Sequence, residues 1–371
     1  MQSERGVDAP CLLTASERKI MATIKQSGPI ARSEITHETE LAQQTVHRIV
    51  DSLEQRGYLQ FGDAVITGRG KPSPTVALHT DNFASIGLSI STDHVRLCLL
   101  DLSGNPLAQE TELLAASRPE QVVKLVRDKI GCWRDQGIGN RSIVGIGISM
   151  QGFRTGPDDL FQPPDLLSAW QALPLESYLS KELEIPAFAE NNATASAVAE
   201  YFLGAGKNCN TLTYLSFNHG FGAGIYSNNR PFLGGHGNAG EIGALYLSNE
   251  LDRRPALSEL IRTLNAKGQN LSCVMDLTSR FDAKWPGVAE WLEEVKPQLQ
   301  LALRALQATV DPEAIFFGGE APDDLRHLLM EAAQGAFRDQ RLPRPALIVS
   351  ALPGDPAHLG AGLLPLRELI F

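Results

Sequence analysis

Apolar residues recur at helical spacing through the first eighty positions and form alternating or continuous runs after them. Thr14-Ala15-Ser16-Glu17 fits a capping box, in which Thr14 closes a helix start and Glu17 reaches back to it. Ile20, Met21 and Ile24 then share one helical face, and Gly28-Pro29 ends that helix. A second short helix is predicted over 32–39 and a third over 43–56. In the third, Val46, Ile49, Val50 and Leu53 fall at i, i+3, i+4 and i+7, and Gly57 is a natural stop. Tyr58-Leu59-Gln60-Phe61 and the run from Thr75 to His79 flank a polar, glycine-containing loop. Three short helices followed by a two-stranded flap is the plan of a winged helix-turn-helix occupying residues 1–80.

From Ser85 the pattern changes. Strands are predicted at 86–90 and 95–100, joined later by strands at 142–149, 187–189, 314–317 and 346–350. Helices are predicted over 120–136, 174–183, 193–202, 288–310 and 323–334, with a further helix at the carboxy terminus. Two successive strand-then-helix halves suggest two α/β lobes around a cleft. The first lobe spans about 82–195 plus the carboxy-terminal helix, and the second about 196–350. The second lobe contains the stretch TLTYLSFNHGFGAGIYSNNRPFLGGHGNAGEI, residues 211–242. It reads as two strands around a glycine-rich turn, then a second glycine cluster ending in Glu241. Such glycines let a backbone approach a phosphate or a sugar closely, although a plain hairpin also uses them.

Composition narrows the function classes. Hydrophobic residues are 43% and charged residues 20%, ordinary for a globular protein. No apolar run is long enough to span a bilayer and no signal peptide is evident, so a cytoplasmic protein without a membrane partner is expected. The five cysteines are scattered without a CxxC pair, which supports neither a disulfide framework nor a cysteine zinc site. Net charge is −10, which disfavours a whole-chain polyanion binder. Residues 1–80, however, carry nine basic and nine acidic side chains, so the entire −10 lies in the remainder. A nucleic-acid contact is therefore permitted only at the amino-terminal end.

The third helix carries the chemistry for such a contact. Opposite its apolar stripe stand Gln43, Gln44, Thr45, His47 and Arg48. Glutamine pairs bidentately with adenine in the major groove, and arginine serves guanine or phosphate. The flap holds Gly68-Arg69-Gly70-Lys71-Pro72, whose glycines free Arg69 and Lys71 to enter a minor groove or grip phosphates. The alternative is a small helical domain for protein contacts. Ala31 and Ala42 occupy positions where a hydroxyl cap is expected, and Glu34, Glu38 and Glu40 make the second helix acidic.

GRGKP in the flap, GIGISMQG at 145–152, AWQALPLESYL at 169–179, ENNATASAVAEY at 190–201, FGAGI at 221–225 and GGHGNAGEIG at 234–243 together carry a resemblance. In that order and spacing the chain resembles the ROK (repressor, open reading frame, kinase) family over nearly its whole length. The resemblance implies an α/β two-lobed actin-like (ribonuclease H-like) domain with an N-terminal winged helix-turn-helix domain, as in the family's regulatory branch.

The chain departs from the family's kinase pattern at three places. The first phosphate turn, D-x-G-G-T in kinases, aligns with Ser89, Ser91-Thr92 and Asp93, so its glycines are lost and an acid would repel phosphate. The second, G-T-G, reads Asn218-His219-Gly220. The catalytic aspartate position is Asn192, after Asn191, and an amide cannot take a proton from a sugar hydroxyl. The family's zinc histidine is replaced by Ala244, and no cysteine lies between Cys209 and Cys273, so no metal or cofactor is expected. Gly318-Gly319 resembles the family's adenosine turn and is read as structural.

Asn191, Asn192, His236 and Glu241 remain as candidate ligand-binding residues, suited to holding a polyol without reacting with it. Otherwise they satisfy turns in a fossil cleft. The expected function is a transcriptional regulator, most simply a repressor, that binds operator DNA as a homodimer or homotetramer and responds to a sugar or sugar phosphate. The alternative is an active sugar kinase with a DNA-binding arm. A dinucleotide enzyme would need a helix directly after Gly220, where a strand is predicted.

Overall fold

A computed structural model describes residues 13–65, 73–156, 159–337 and 342–371. The amino-terminal unit opens with α1 (Ala15–Ser27), whose Thr14/Glu17 capping box is formed as predicted. β1 (Ile30–Ala31) leads into α2 (Arg32–Thr39). Lacking a hydroxyl at Ala31, α2 is capped by Glu34, whose carboxylate accepts the Ala31 N–H at 2.9 Å. α3 (Gln43–Gln55) buries Val46, Ile49, Val50 and Leu53, and Gly57 turns the chain out of it at φ +77°. β2 (Leu59–Val65) and β3 (Ser73–Leu78) form the flap. Strand order is β1-β3-β2. A two-residue β1 is too short to leave a period-2 signal, so the sequence pattern omits it.

The larger unit begins with an antiparallel meander of β4 (Phe83–Ile90), β5 (His94–Asp101) and β6 (Pro106–Leu113). α4 (Pro119–Asp135) crosses over to β7 (Ser142–Met150), which runs parallel to β4. A small hairpin of β8 (Phe153–Arg154) and β9 (Phe161–Gln162), then α5 (Leu175–Leu183), lead to β10 (Ala187–Asn191). The sheet order is β10-β7-β4-β5-β6. α6 (Asn192–Leu203) follows without a loop, because Asn191 ends the strand and caps the helix.

The second lobe repeats the scheme. β11 (Thr211–Phe217) and β12 (Phe221–Ser227) form the hairpin around Asn218-His219-Gly220, with β13 (Arg230–Pro231) beside them. α7 (Leu257–Ala266), α8 (Val274–Arg280) and α9 (Val288–Val310) precede β14 (Ala314–Gly319), which runs parallel to β11. α10 (Asp323–Ala333) and β15 (Ala346–Val349) complete the sheet β13-β12-β11-β14-β15. α7, although Leu257, Leu260, Ile261 and Leu264 fall at i, i+3, i+4 and i+7, and the seven-residue α8 are not among the predicted helices, whereas α9 falls where its periodicity places it.

The chain ends in α11 (Ala357–Leu369), which returns to the first lobe and packs along α6. The two helices approach so closely that a Cβ at Gly360 would stand 1.7 Å from the Ala195 carbonyl oxygen. One apolar cluster runs without interruption from α1 and α3 through α6, α11 and their neighbouring strands. The amino-terminal module is thus packed onto the larger unit.

Candidate functional site

Two regions carry the predicted residues. On α3, Gln43, Gln44 and Arg48 are exposed, and Thr45 and His47 are half-buried on the same side. Arg69 and Lys71 lie outside the described residues. The acidic residues of α2 are partly tied up locally, since Glu34 takes the Ala31 N–H and Glu38 accepts from the Ser27 hydroxyl at 3.1 Å. The sequence pattern missed Arg32, the first residue of α2. One arm of its guanidinium donates to His47 Nδ1 at 3.0 Å, and the other is ion-paired with Asp51.

A cleft of about 1070 Å³ opens at the start of α6. Asn191, Asn192 and Glu241 all line it. Asn191 is committed to the fold: its Oδ1 accepts the Ala193 N–H at 2.7 Å, and its Nδ2 donates to the Gly152 carbonyl at 2.6 Å. The same Nδ2 lies 3.2 Å from Glu241 Oε1 and so orients that carboxylate. Asn192 differs. It is 4% exposed, and neither amide atom has a hydrogen-bond partner. Burying such a group without a partner costs about 1–3 kcal/mol, so its presence in a cleft wall calls for a ligand or a solvent partner. Burial pushes the Glu241 carboxyl up to about 7.

His236 stands apart from these three. It is exposed and lines an adjoining pocket of about 640 Å³ with Arg154, Thr155 and Asn238. Asn238 joins the two pockets. It accepts the Arg154 N–H at 2.8 Å and donates to the Arg154 carbonyl at 2.9 Å, clasping the β8 hairpin to the glycine cluster. Gln151, from the GIGISMQG motif, His219, from the second phosphate turn, and Arg254, to which no local sequence signal pointed, also line the main cleft. Burial pushes the His219 imidazole down, helped by the Arg254 charge.

The turn after β4 shows how this cleft differs from a phosphate-handling one. Asp93 Oδ1 pairs with its neighbour His94 at 2.7 Å, and Oδ2 accepts the Met275 N–H of α8 at 3.0 Å. His94 Nε2 lies 3.1 Å from Glu320 Oε1, just past β14, and Ser91 donates to the same oxygen at 3.2 Å. All four side chains are buried. Burial pushes the Asp93 carboxyl up, but the bonds from His94 and Met275 outweigh it and hold it at about 2. Burial likewise pushes His94 down, and its bonds to Asp93 and Glu320 outweigh it, raising the imidazole to about 9. At neutral pH the turn therefore holds a carboxylate–imidazolium–carboxylate chain that ties the first lobe to the second. Its net negative charge opposes an incoming phosphate.

The hairpin turn is similarly occupied. Asn218 donates to the buried Asp355 carboxylate at 2.6 Å and accepts the Glu320 N–H at 2.7 Å. Asp355 also accepts from Ser196 of α6 at 2.7 Å, just ahead of α11. The two glycines after Phe317 serve packing. A Cβ at Gly318 would meet the Tyr214 hydroxyl at 2.0 Å, and Gly319, at φ +86°, donates its N–H to that hydroxyl.

A winged-helix module packed on a two-lobed actin-like domain, with a cleft between the lobes, defines the class of protein. The chain belongs to the ROK family, whose model matches residues 85–364. The MarR family model matches residues 13–62. The chain is 28% identical to protein y4fQ of Sinorhizobium fredii, over 97% of its own length and 92% of that protein's. It is also 28% identical to the Escherichia coli DNA-binding transcriptional dual regulator NagC, over 59% of this chain and 54% of that one. To the xylose repressor of Bacillus spizizenii it is 27% identical, over 62% and 59%. The alignments thus span little more than half the length of those two regulators. Among solved structures, a ROK family transcriptional regulator homologous to E. coli Mlc superposes with a TM-score of 0.74 at 18% identity, covering 95% of this chain and 96% of that one. A ROK hexokinase from Thermus thermophilus gives 0.60 at 22%, covering 76% and 97%. Among the described residues no helix is long and apolar enough to cross a membrane.

Proposed function

We propose that the chain is a DNA-binding transcriptional regulator, a repressor by similarity, whose cleft senses a sugar or a sugar derivative. The observation that carries the reading is Asn192. A buried amide with no partner within the fold, beside the Glu241 carboxyl, offers two N–H donors and two kinds of acceptor to a polyol. Phosphoryl transfer is not proposed. Asn192 cannot act as a base, and the place of the first phosphate turn is taken by Asp93, His94 and Glu320.

The signal would leave through α6. Its first residue is Asn192, and its far end packs on the DNA-binding module, where Lys25 of α1 lies 4.4 Å from the Phe202 ring centroid. Ligand in the cleft would shift α6 and α11 and with them the module, and in a symmetric homodimer or homotetramer it would change the spacing of two recognition helices. The protein would act in the cytoplasm on a near-palindromic operator. The test is a thermal-shift screen of the full chain against monosaccharides, amino sugars and their phosphates, followed by gel shifts with operator DNA. The expected result is a compound that raises the melting temperature and changes operator affinity. A panel without any such compound would leave the cleft a relic of the fold.

A further inference from the structure

Arg32 is held from three sides. One amino group donates to His47 Nδ1 at 3.0 Å, the other is paired with the Asp51 carboxylate one helical turn further along α3, and the guanidinium carbon lies 4.9 Å from the Phe61 ring centroid on β2. Its side chain is 18% exposed. The chemistry of that contact leaves little freedom to His47. A guanidinium has five N–H donors, no acceptor, and keeps its proton at all working pH values. The ring nitrogen facing it must therefore be the unprotonated acceptor, which places the imidazole proton on Nε2. A second proton on Nδ1 would set two cationic donors against each other.

We propose that Arg32 is a specificity-determining positioning residue that fixes His47 as a hydrogen-bond donor toward operator DNA. This rests on the reading that α3 is the recognition helix. His47 shares its side of α3 with the exposed Gln43, Gln44 and Arg48. In the major groove, Nε2–H can pair with the N7 of a purine, the O6 of guanine or the O4 of thymine. It finds only a donor, the N4 amino group, on cytosine. The operator should therefore contain one position in each half-site where cytosine is rejected on account of His47. Arg32 itself need not touch the base. Freed from Arg32, the ring could move its proton to Nδ1 and accept from cytosine.

The test selects binding sequences from a pool of random DNA duplexes with the full chain and with Arg32→Met, Arg32→Lys and His47→Ala. Methionine keeps an apolar stem beside Phe61 but has no donor, whereas lysine restores one. The expected result is that the wild type disfavours cytosine at one position about tenfold or more. His47→Ala and Arg32→Met should both flatten that position, and Arg32→Lys should recover part of it. An Arg32→Met protein that binds all sequences more weakly with its base preferences unchanged would overturn the proposal. Should that variant fold poorly, the wild type answers by itself. With ¹⁵N-labelled histidine, and His47→Gln to assign the signal, His47 should show a neutral ring protonated at Nε2. A ring protonated at Nδ1, or charged, would refute the proposal. A wild-type protein that enriches no sequence from the pool would instead overturn the recognition-helix reading, and the proposal with it.

Discussion

The Lys25 ammonium lies 4.4 Å from the centroid of Phe202 and 4.3 Å from that of Phe371, so one cation of the DNA-binding module is held between α6 and the chain's last residue. Beside it, Arg18 donates to the Phe371 carbonyl at 3.2 Å and the Arg367 carbonyl at 2.9 Å, at the negative end of α11. α6 begins at the cleft, and the residues ahead of α11 are tied to the cleft wall through Asn218. Asn192 starts α6, and Asp355, bonded to Ser196 and Asn218, immediately precedes α11.

Reversing the charge at position 25 should uncouple the two ends. Lys25→Glu removes a desolvated cation–π contact of about 2 kcal/mol and sets an acid beside two aromatic faces. We expect the variant to bind its sugar with an unchanged thermal shift, to melt a few degrees lower without ligand, and to lose most of the ligand-dependent change in operator affinity. A normal ligand response in gel shifts would show that the signal takes another route.

Asn192→Leu should separate stability from sensing. Leucine has the same number and branching of side-chain heavy atoms and carries no unpaired polar atom, so the variant should be about 1 kcal/mol more stable than the wild type. The thermal shift given by the effector should disappear. A destabilised variant would mean that Asn192 has a partner within the fold.

Glu241 should impose a pH dependence on stability. Burial raises its carboxyl from 4.5 to about 7. As pH rises past 4.5 the unfolded chain ionises first, so the stability this group contributes is full below that value and is gone once pH passes 7. The loss is on the order of 3 kcal/mol. Urea unfolding between pH 5 and 8 should show it as a fall in the wild type that is absent from Glu241→Gln. Parallel curves for the two proteins would contradict this assignment.

The buried chain at the first turn should be costly to break. His94→Ala leaves Asp93 and Glu320 without their shared cation, a loss of about 3–5 kcal/mol. The contribution of His94, raised from 6.5 to about 9, should be complete below pH 6.5 and should fade as pH rises through 9. Denaturant titrations across that range test both. Asn192→Asp should not phosphorylate any hexose or amino sugar with ATP, because this chain still occupies the phosphate turn.

In the amino-terminal module, Gln44→Ala should change the preferred operator at a cost of roughly 1–3 kcal/mol, whereas Arg69→Ala should weaken all sequences more evenly and reduce the salt dependence. Competition gel shifts at two salt concentrations distinguish these outcomes. Point substitutions serve better here than removal of the module, since truncation near Asn82 would expose the apolar cluster shared by α1, α3, α6 and α11.

Local periodicity was enough to locate much of the fold. The apolar stripe of Val46, Ile49, Val50 and Leu53, the Thr14/Glu17 cap and the run of α9 are short-range patterns, and each appears where the sequence puts it. The same holds for the hairpin turn at Asn218-His219-Gly220, whereas the loss of a glycine pair at Ser91-Thr92 was legible only through the resemblance to the ROK family. Elements without a repeating signal, such as the two-residue β1 and the short α8, were not legible. The role of each site residue depended on neighbours far away in the chain. Asn191 and Asn192 are adjacent and chemically identical, yet one caps a helix and steers Glu241 while the other has no partner, because Gly152 and Glu241 reach only the first. His236 belongs to the same glycine cluster as Glu241 but lines a different pocket, which shares only Asn238 with the main cleft. Sequence by itself fixed residue types and local conformation, which are set by steric and hydrogen-bonding rules over a few residues. Only the tertiary structure decided which polar groups are paired, buried or available, because that depends on contacts between segments up to 353 residues apart.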